Sequence, residues 1–209
     1  MTPIRLCVVG ADGRMGQEVL RAVDSGFEVT GAITRSESPN KGKKLRNLGL
    51  SEAEVSILGP ESLQEVLGDA DVYLSFTTPD AELLNLPLAA RMRKKIVMGT
   101  TGFAPEQMDT LRHVIEGRTE AVFSSNFSIG LNFVGTLVRS VSHLPEGFDA
   151  SIVEIHHTGK ADSPSGTALQ LSELVKEARG YTKEVFGRTR NSKRMVPRTQ
   201  TGWRQGPRP

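Results

Sequence analysis

Between Glu154 and Thr167 the chain reads Glu-Ile-His-His-Thr-Gly-Lys-Ala-Asp-Ser-Pro-Ser-Gly-Thr, gathering two imidazoles, an ammonium and a helix start in one short stretch. Imidazole is the side chain whose proton is exchanged most readily near neutral pH. His156 and His157 are adjacent, so on a continuing strand they face opposite ways and differ in role. Lys160 follows Gly159 in a loop, and Pro164 fixes the chain before Ser165, a good N-cap. The N–H groups of Ser165, Gly166 and Thr167 would then form a cradle for a carboxylate. Glu154 either orients the histidines or is simply the polar face of its strand, and Asp162 is read as a loop cap. A proton-transfer set beside an anion cradle points to a small, negatively charged substrate.

A second constellation sits near the N-terminus. Gly10-Ala11-Asp12-Gly13-Arg14-Met15-Gly16 follows an apolar run and precedes residues of helical period. In a dinucleotide-binding βαβ unit, glycines in this turn allow close approach of backbone to the pyrophosphate at the helix N-terminus. The spacing is G-x-x-G-x-x-G, a weak signal alone that gains from the strand before and helix after. Arg14 lies in the turn and is a further phosphate candidate. At the end of the second strand an NAD site usually carries Asp or Glu for the ribose hydroxyls. Here the residues are Thr34-Arg35-Ser36, with no carboxylate and with a guanidinium suited to a 2′-phosphate. The cofactor expected is therefore NADPH, with NADH possible.

The elements that must position these groups follow from periodicity. Strands are expected at Ile4–Val9, Phe27–Ile33, Val55–Leu58, Asp71–Phe76, Lys95–Met98 and 121–123. Between them helices are expected after Gly13, over Ser62–Leu67, over Ala81–Met92 with a kink or break at Pro87, and from Pro105 to Ile115. Lys41–Gly49 reads as a mobile basic loop. Alternation at this interval gives the fold class, α/β, a Rossmann-type doubly wound parallel sheet. Then the pattern changes: a long helix over Ile129–Leu144, a strand over 150–155 and a helix from Gly166 to Arg179 outline a smaller α+β substrate domain that looks incomplete. Beyond Phe186 no hydrophobic period is found. The expected division is 1–126 for the dinucleotide, 127–186 for the substrate and 187–209 as a basic, flexible tail.

Composition sets the outer limits. The 209 residues are 37% hydrophobic and 24% charged, ordinary for a soluble globular protein, and no apolar run is long enough to cross a membrane. Cys7 is the only cysteine, so no internal disulfide forms, and the N-terminal residues have no signal-peptide layout; a cytoplasmic protein is expected. The net charge of +2 conceals seven basic and no acidic residues from Gly187 onward, which leaves 26 − 7 = 19 basic against 24 acidic residues before it. A basic tail this poor in apolar residues reads as solvated, so no nucleic-acid partner is expected.

With these motifs in view, the sequence resembles the dihydrodipicolinate reductase (4-hydroxy-tetrahydrodipicolinate reductase) family of the diaminopimelate route to lysine. The likeness rests on the Gly10–Gly16 turn, Ser75-Phe76-Thr77, Gly99-Thr100-Thr101-Gly102-Phe103, Asn126-Phe127-Ser128-Ile129-Gly130 and the Glu154–Ala168 stretch, in the family's order. The resemblance implies that Gly10, Ala11, Asp12, Gly13, Arg14 and Met15 hold the dinucleotide phosphates and Arg35 the adenosine ribose end. It places Gly99, Thr100, Thr101 and Ser124, Ser125, Asn126, Phe127 along the cofactor near the nicotinamide. It implies His156 as acid/base, Lys160 as proton donor, and His157, Gly166 and Thr167 as ligands of substrate carboxylates, with no metal. It also implies a homotetramer built through the second domain's sheet. The family's glycine-rich strand segment and last helix have no match after Arg194, so a second domain of one or two strands, with weak stability or activity, is expected. Two other readings of the same residues are another two-domain amino-acid dehydrogenase and an inactive nucleotide-binding remnant.

Overall fold

A computed structural model describes residues 2–145, 147–156, 164–189 and 198–204. The chain divides into two compact units, Met1–Ser124 and Ser125–Pro209.

The first unit is a six-stranded, all-parallel sheet in the order β3-β2-β1-β4-β5-β6. Its strands are β1 (Ile4–Val9), β2 (Phe27–Ile33), β3 (Ile57–Leu58), β4 (Val72–Ser75), β5 (Lys95–Met98) and β6 (Ala121–Phe123). The helices are α1 (Arg14–Ala22), α2 (Leu63–Gly68), α3 (Pro79–Arg91) and α4 (Pro105–Ile115). A parallel sheet needs helices on both faces, which is why β1 is apolar at every position from Leu6 to Val9. Side chains alternate across the strand, so Leu6 and Val8 join Leu20, Val29, Ala32 and Ile57 in one core cluster. Cys7 and Val9 join Tyr73, Leu86, Ala89 and Met98 in the cluster on the other face. The strand order reverses between β1 and β4, and ligands of open α/β sheets bind at the strand C-termini beside that point.

The second unit contains α5 (Ile129–Arg139), α6 (Gly166–Arg179) and an antiparallel sheet of β7 (Ser151–Ile155), β8 (Lys183–Thr189) and β9 (Arg198–Arg204) in the order β7-β9-β8. Val175 and Tyr181 are its buried apolar centre, with Val138, Ala150 and Ile152 packed around them.

Several expectations are corrected. Lys41–Gly49, read as a mobile loop, is anchored: Leu45 is fully buried, Arg46–Leu48 forms a 3-10 turn, and Lys44 and Arg46 pair with Glu54 and Glu52. One buried leucine among cations carries no period. Pro87 does not end α3, which runs unbroken from Pro79 to Arg91; Leu86, Ala89 and Ala90 around it are fully buried, so packing outweighs the lost hydrogen bond. The helix expected to Leu144 ends as α5 at Arg139 and continues as a 3-10 turn over Ser140–His143. The second sheet has three strands, not one or two, and its centre is Arg198–Arg204, a segment assigned to a flexible tail. That strand reads Arg-Thr-Gln-Thr-Gly-Trp-Arg, and its identity comes from pairing on both sides, which no local pattern announces.

Candidate functional site

The glycine turn is a backbone structure before it is a binding motif. Gly10 adopts φ +82°, and a Cβ there would lie 2.4 Å from the Phe76 carbonyl oxygen. At Gly16 a Cβ would lie 2.1 Å from the Gly10 carbonyl oxygen, so only glycine lets α1 sit this close to the turn. The N–H groups of Gly10 and Ala11 both donate to the Ile33 carbonyl at 2.9 and 3.0 Å, and that of Gly13 donates to the Gly10 carbonyl at 3.0 Å. Those three donors are committed to the turn itself. The donors left for phosphate belong to the first turn of α1, at Arg14 and Met15, both of which are exposed.

A cavity of about 490 Å³ opens beside this turn. Gly10, Asp12 and Gly13 line it from β1, Thr34 to Glu37 from the end of β2, and Phe76, Thr77 and Thr78 from the end of β4. Its volume is that of a small-molecule or cofactor site. Of the residues expected at the nucleotide, Gly10, Asp12, Gly13 and Arg35 meet here; Ala11 is buried behind the turn. Asp12 accepts hydrogen bonds from the hydroxyls of Thr34, at 2.5 Å, and Ser38. Burial opposes its charge, but the Ser38 and Thr34 hydroxyls and the nearby Arg35 outweigh that and hold the carboxyl below its usual range. Asp12 thus ties the turn to the β2 loop that carries Arg35. Glu37, not singled out from sequence, adds a carboxylate to the cavity wall two residues beyond Arg35.

Gly99, Thr100 and Thr101 follow β5 and do not line this cavity. A Cβ at Gly99 would run into the Phe76 ring at 2.0 Å. The Thr100 hydroxyl accepts from the Thr77 N–H at 2.8 Å and donates to Glu82 at 2.8 Å. Glu82 is fully buried and also accepts from the hydroxyls of Tyr73 at 2.8 Å and Thr77 at 2.5 Å. Three hydroxyl donors satisfy a carboxylate that would otherwise be costly to bury. This hub joins the ends of β4 and β5 and fixes the backbone where the expected nicotinamide residues lie. It was missed from sequence, although Glu82 falls one helical turn before Leu86 on the apolar face of α3. Ser124 follows β6 and donates its N–H to the Met98 carbonyl at 3.2 Å; the Asn126 side chain accepts from the Ser128 N–H at 2.7 Å. Ser125 and Phe127 are exposed.

In the second unit, Ser165 caps α6 as expected, its hydroxyl accepting from the Ala168 N–H at 3.0 Å. Glu154, near the end of β7, accepts from the Ser165 N–H at 2.8 Å and from the Ser165 hydroxyl, and contacts His156 Nε2 at 2.7 Å. Burial opposes its charge, but the Ser165 and His156 contacts outweigh that and hold the carboxyl below its usual range. His156 is thus tied through Glu154 to Ser165, the N-cap of a 14-residue helix that begins with Gly166 and Thr167. An added Cβ at Gly166 would meet none of the described residues within 4 Å. His157 and Lys160 lie outside the described residues.

Both halves have named counterparts. The model of one family part, "Dihydrodipicolinate reductase, N-terminus", matches residues 4–127, and that of "Dihydrodipicolinate reductase, C-terminus" matches residues 130–202. A 4-hydroxy-tetrahydrodipicolinate reductase of Methanopyrus kandleri is 42% identical over 194 residues, covering 90% of this chain and 70% of that protein. One of Syntrophotalea carbinolica is 38% identical, covering 87% and 69%. Among solved structures, a dipicolinate-bound dihydrodipicolinate reductase of Paenisporosarcina sp. TG-14 matches with a TM-score of 0.64 at 26% identity, covering 92% of this chain and 71% of that one. With the turn, the capped helix and its histidine in place, and both family parts matched in order, the chain belongs to the dihydrodipicolinate reductase family.

Proposed function

We propose that the protein reduces 4-hydroxy-tetrahydrodipicolinate to tetrahydrodipicolinate, with a reduced nicotinamide dinucleotide as hydride donor and release of water. The observation that carries this reading is His156 held by Glu154 at the Ser165-capped start of α6, in a chain whose relatives bear that activity in their names. When bound, the dinucleotide supplies a hydride to the substrate ring. The residues of this chain do the rest. The first-turn N–H groups of α1 take the pyrophosphate, and the Arg35 guanidinium takes the 2′-phosphate of NADPH. Glu37 offers a carboxylate to the ribose hydroxyls of NADH, so both cofactors are used, with NADPH preferred.

The N–H groups of Gly166 and Thr167, with His157, bind the substrate carboxylates; the dipicolinate in the Paenisporosarcina structure is a dicarboxylate of this kind. Lys160 donates the proton that balances hydride addition, and His156 serves the departing hydroxyl, which leaves as water. Homotetramers form through the sheet of the second unit, where Val153, Ile155 and Val185 are each more than half exposed on one face. Among the described residues no helix is long and apolar enough to span a membrane, and we place the protein in the cytoplasm.

The test is oxidation of NADPH and of NADH with substrate made in situ by the preceding synthase. Turnover lost in His156→Ala and in Lys160→Ala supports the assignment. Arg35→Ala should weaken NADPH at least tenfold while leaving NADH within about threefold, since a charge-assisted bond contributes roughly 1.5–3 kcal/mol. Equal losses for both cofactors would remove Arg35 from the 2′-phosphate.

A further inference from the structure

We infer that Glu154 is a positioning residue: one carboxylate holds the Nε2–H of His156 and the N-cap of α6, which leaves Nδ1 of His156 as the atom that exchanges a proton with substrate. The inference deepens the reductase reading and rests on it for the identity of that substrate.

Ser165 Oγ accepts from the Ala168 N–H, so its own hydrogen is free to be given away, and it goes to Glu154. The Ser165 N–H donates to the other carboxylate oxygen. A carboxylate that receives two donors at one residue is acting as an acceptor, and an ionised carboxylate has nothing else to offer. The depressed acidity range of Glu154 agrees with that ionised state. The atom facing it at 2.7 Å, His156 Nε2, must therefore carry a hydrogen. In a neutral imidazole the lone pair then resides on Nδ1.

Geometry explains why this residue does it. Glu154 and His156 are two positions apart, on the same side of the strand direction, and the Glu154 side chain is only 12% exposed. A glutamate that merely polarised a strand face would extend into water. This one instead joins the end of β7 to the start of α6, so that the imidazole and the helix N-terminus keep a fixed separation.

Glu154→Gln tests the assignment with the same side-chain shape. The amide oxygen remains for the Ser165 N–H, while the amide NH₂ replaces the oxygen shared by the Ser165 hydroxyl and Nε2, faces both as a donor and drives the imidazole hydrogen to Nδ1. The full chain, ¹⁵N-labelled, is examined by long-range ¹H–¹⁵N correlation of its imidazoles, with His156 identified by its loss in His156→Ala. The expected wild-type form is Nε2–H and the expected Glu154→Gln form is Nδ1–H. The variant should lose kcat by on the order of 100-fold with substrate KM within about threefold, the scale of a displaced general acid or base. A wild-type Nδ1–H tautomer, or a variant with unchanged tautomer and kcat, would overturn the inference. If Glu154→Gln fails to fold, the wild-type tautomer alone decides. Absence of wild-type turnover would count against the reductase reading, while the tautomer still reads the role of Glu154.

Discussion

Gly16→Ala places one methyl group where the cofactor turn has no room, and its consequence follows from three distances. The new Cβ would lie 2.1 Å from the carbonyl oxygen of Gly10, 2.8 Å from its carbonyl carbon and 3.0 Å from the Cα of Ala11. All three are backbone atoms, and Gly10 is held in turn by its N–H bond to Ile33. Restoring an ordinary 3.4 Å contact therefore moves α1 outward by 3.4 − 2.1 = 1.3 Å. Alanine gains about 1 kcal/mol over glycine in a helix interior, but overpacking of a rigid site costs roughly 1–3 kcal/mol, so net stability falls only modestly. Binding suffers more. The displaced groups are the first-turn N–H donors, and one charge-assisted hydrogen bond contributes about 1.5–3 kcal/mol, or roughly 10- to 150-fold in Kd. NADPH titration by fluorescence should show at least a tenfold rise in Kd for Gly16→Ala. Gly68→Ala, where an added Cβ meets none of the described residues within 4 Å, should match the wild type. Wild-type NADPH affinity in Gly16→Ala would refute the reasoning.

Three further outcomes follow from single residues. Asp71 accepts the Arg5 N–H at 3.0 Å and the Arg5 guanidinium at 2.7 Å, and these bonds lower its pKa from 3.8 to about 2; stabilisation by this pair is complete above about pH 4 and lost as pH falls through 2, so the Tm difference between wild type and Asp71→Asn should shrink over that window and not above it. Cys7 is fully buried and its thiol is pushed up to about 12, so a disulfide reagent at pH 8 should leave the native protein unlabelled and label it once in denaturant. Arg179 donates to the carbonyls of Leu144 at 2.5 Å, Pro145 at 3.1 Å and Phe148 at 3.2 Å, closing the turn after α5, so Arg179→Ala should cost about 1–3 kcal/mol and lower Tm by several degrees with NADPH affinity unchanged.

What the sequence made legible was whatever a local rule encodes. β1 was found from a continuous apolar run, α4 from Pro105 at its first position, and α6 from Ser165 at its cap, each within a residue of its observed bounds. The glycine turn was found because its spacing is dictated by close backbone approach at Gly10 and Gly16. The missed features depend on partners distant in the chain. β9 is polar by composition and becomes a strand only because β7 and β8 flank it. The Glu82 hub needs Tyr73, Thr77 and Thr100, and the Asp12 bridge needs Ser38, 26 positions further along the chain. Glu154 was open to two readings from sequence, and its contacts with Ser165 and His156 choose between them.

Hydride transfer to a cyclic dicarboxylate is the activity on which every assigned residue role depends. The measurement that tests it most directly is mass spectrometry of the product formed with NADPH deuterated at the transferring position of C4. The expected product is tetrahydrodipicolinate carrying one deuterium for each NADPH oxidised. No labelled product, whether NADPH is consumed or not, would contradict it.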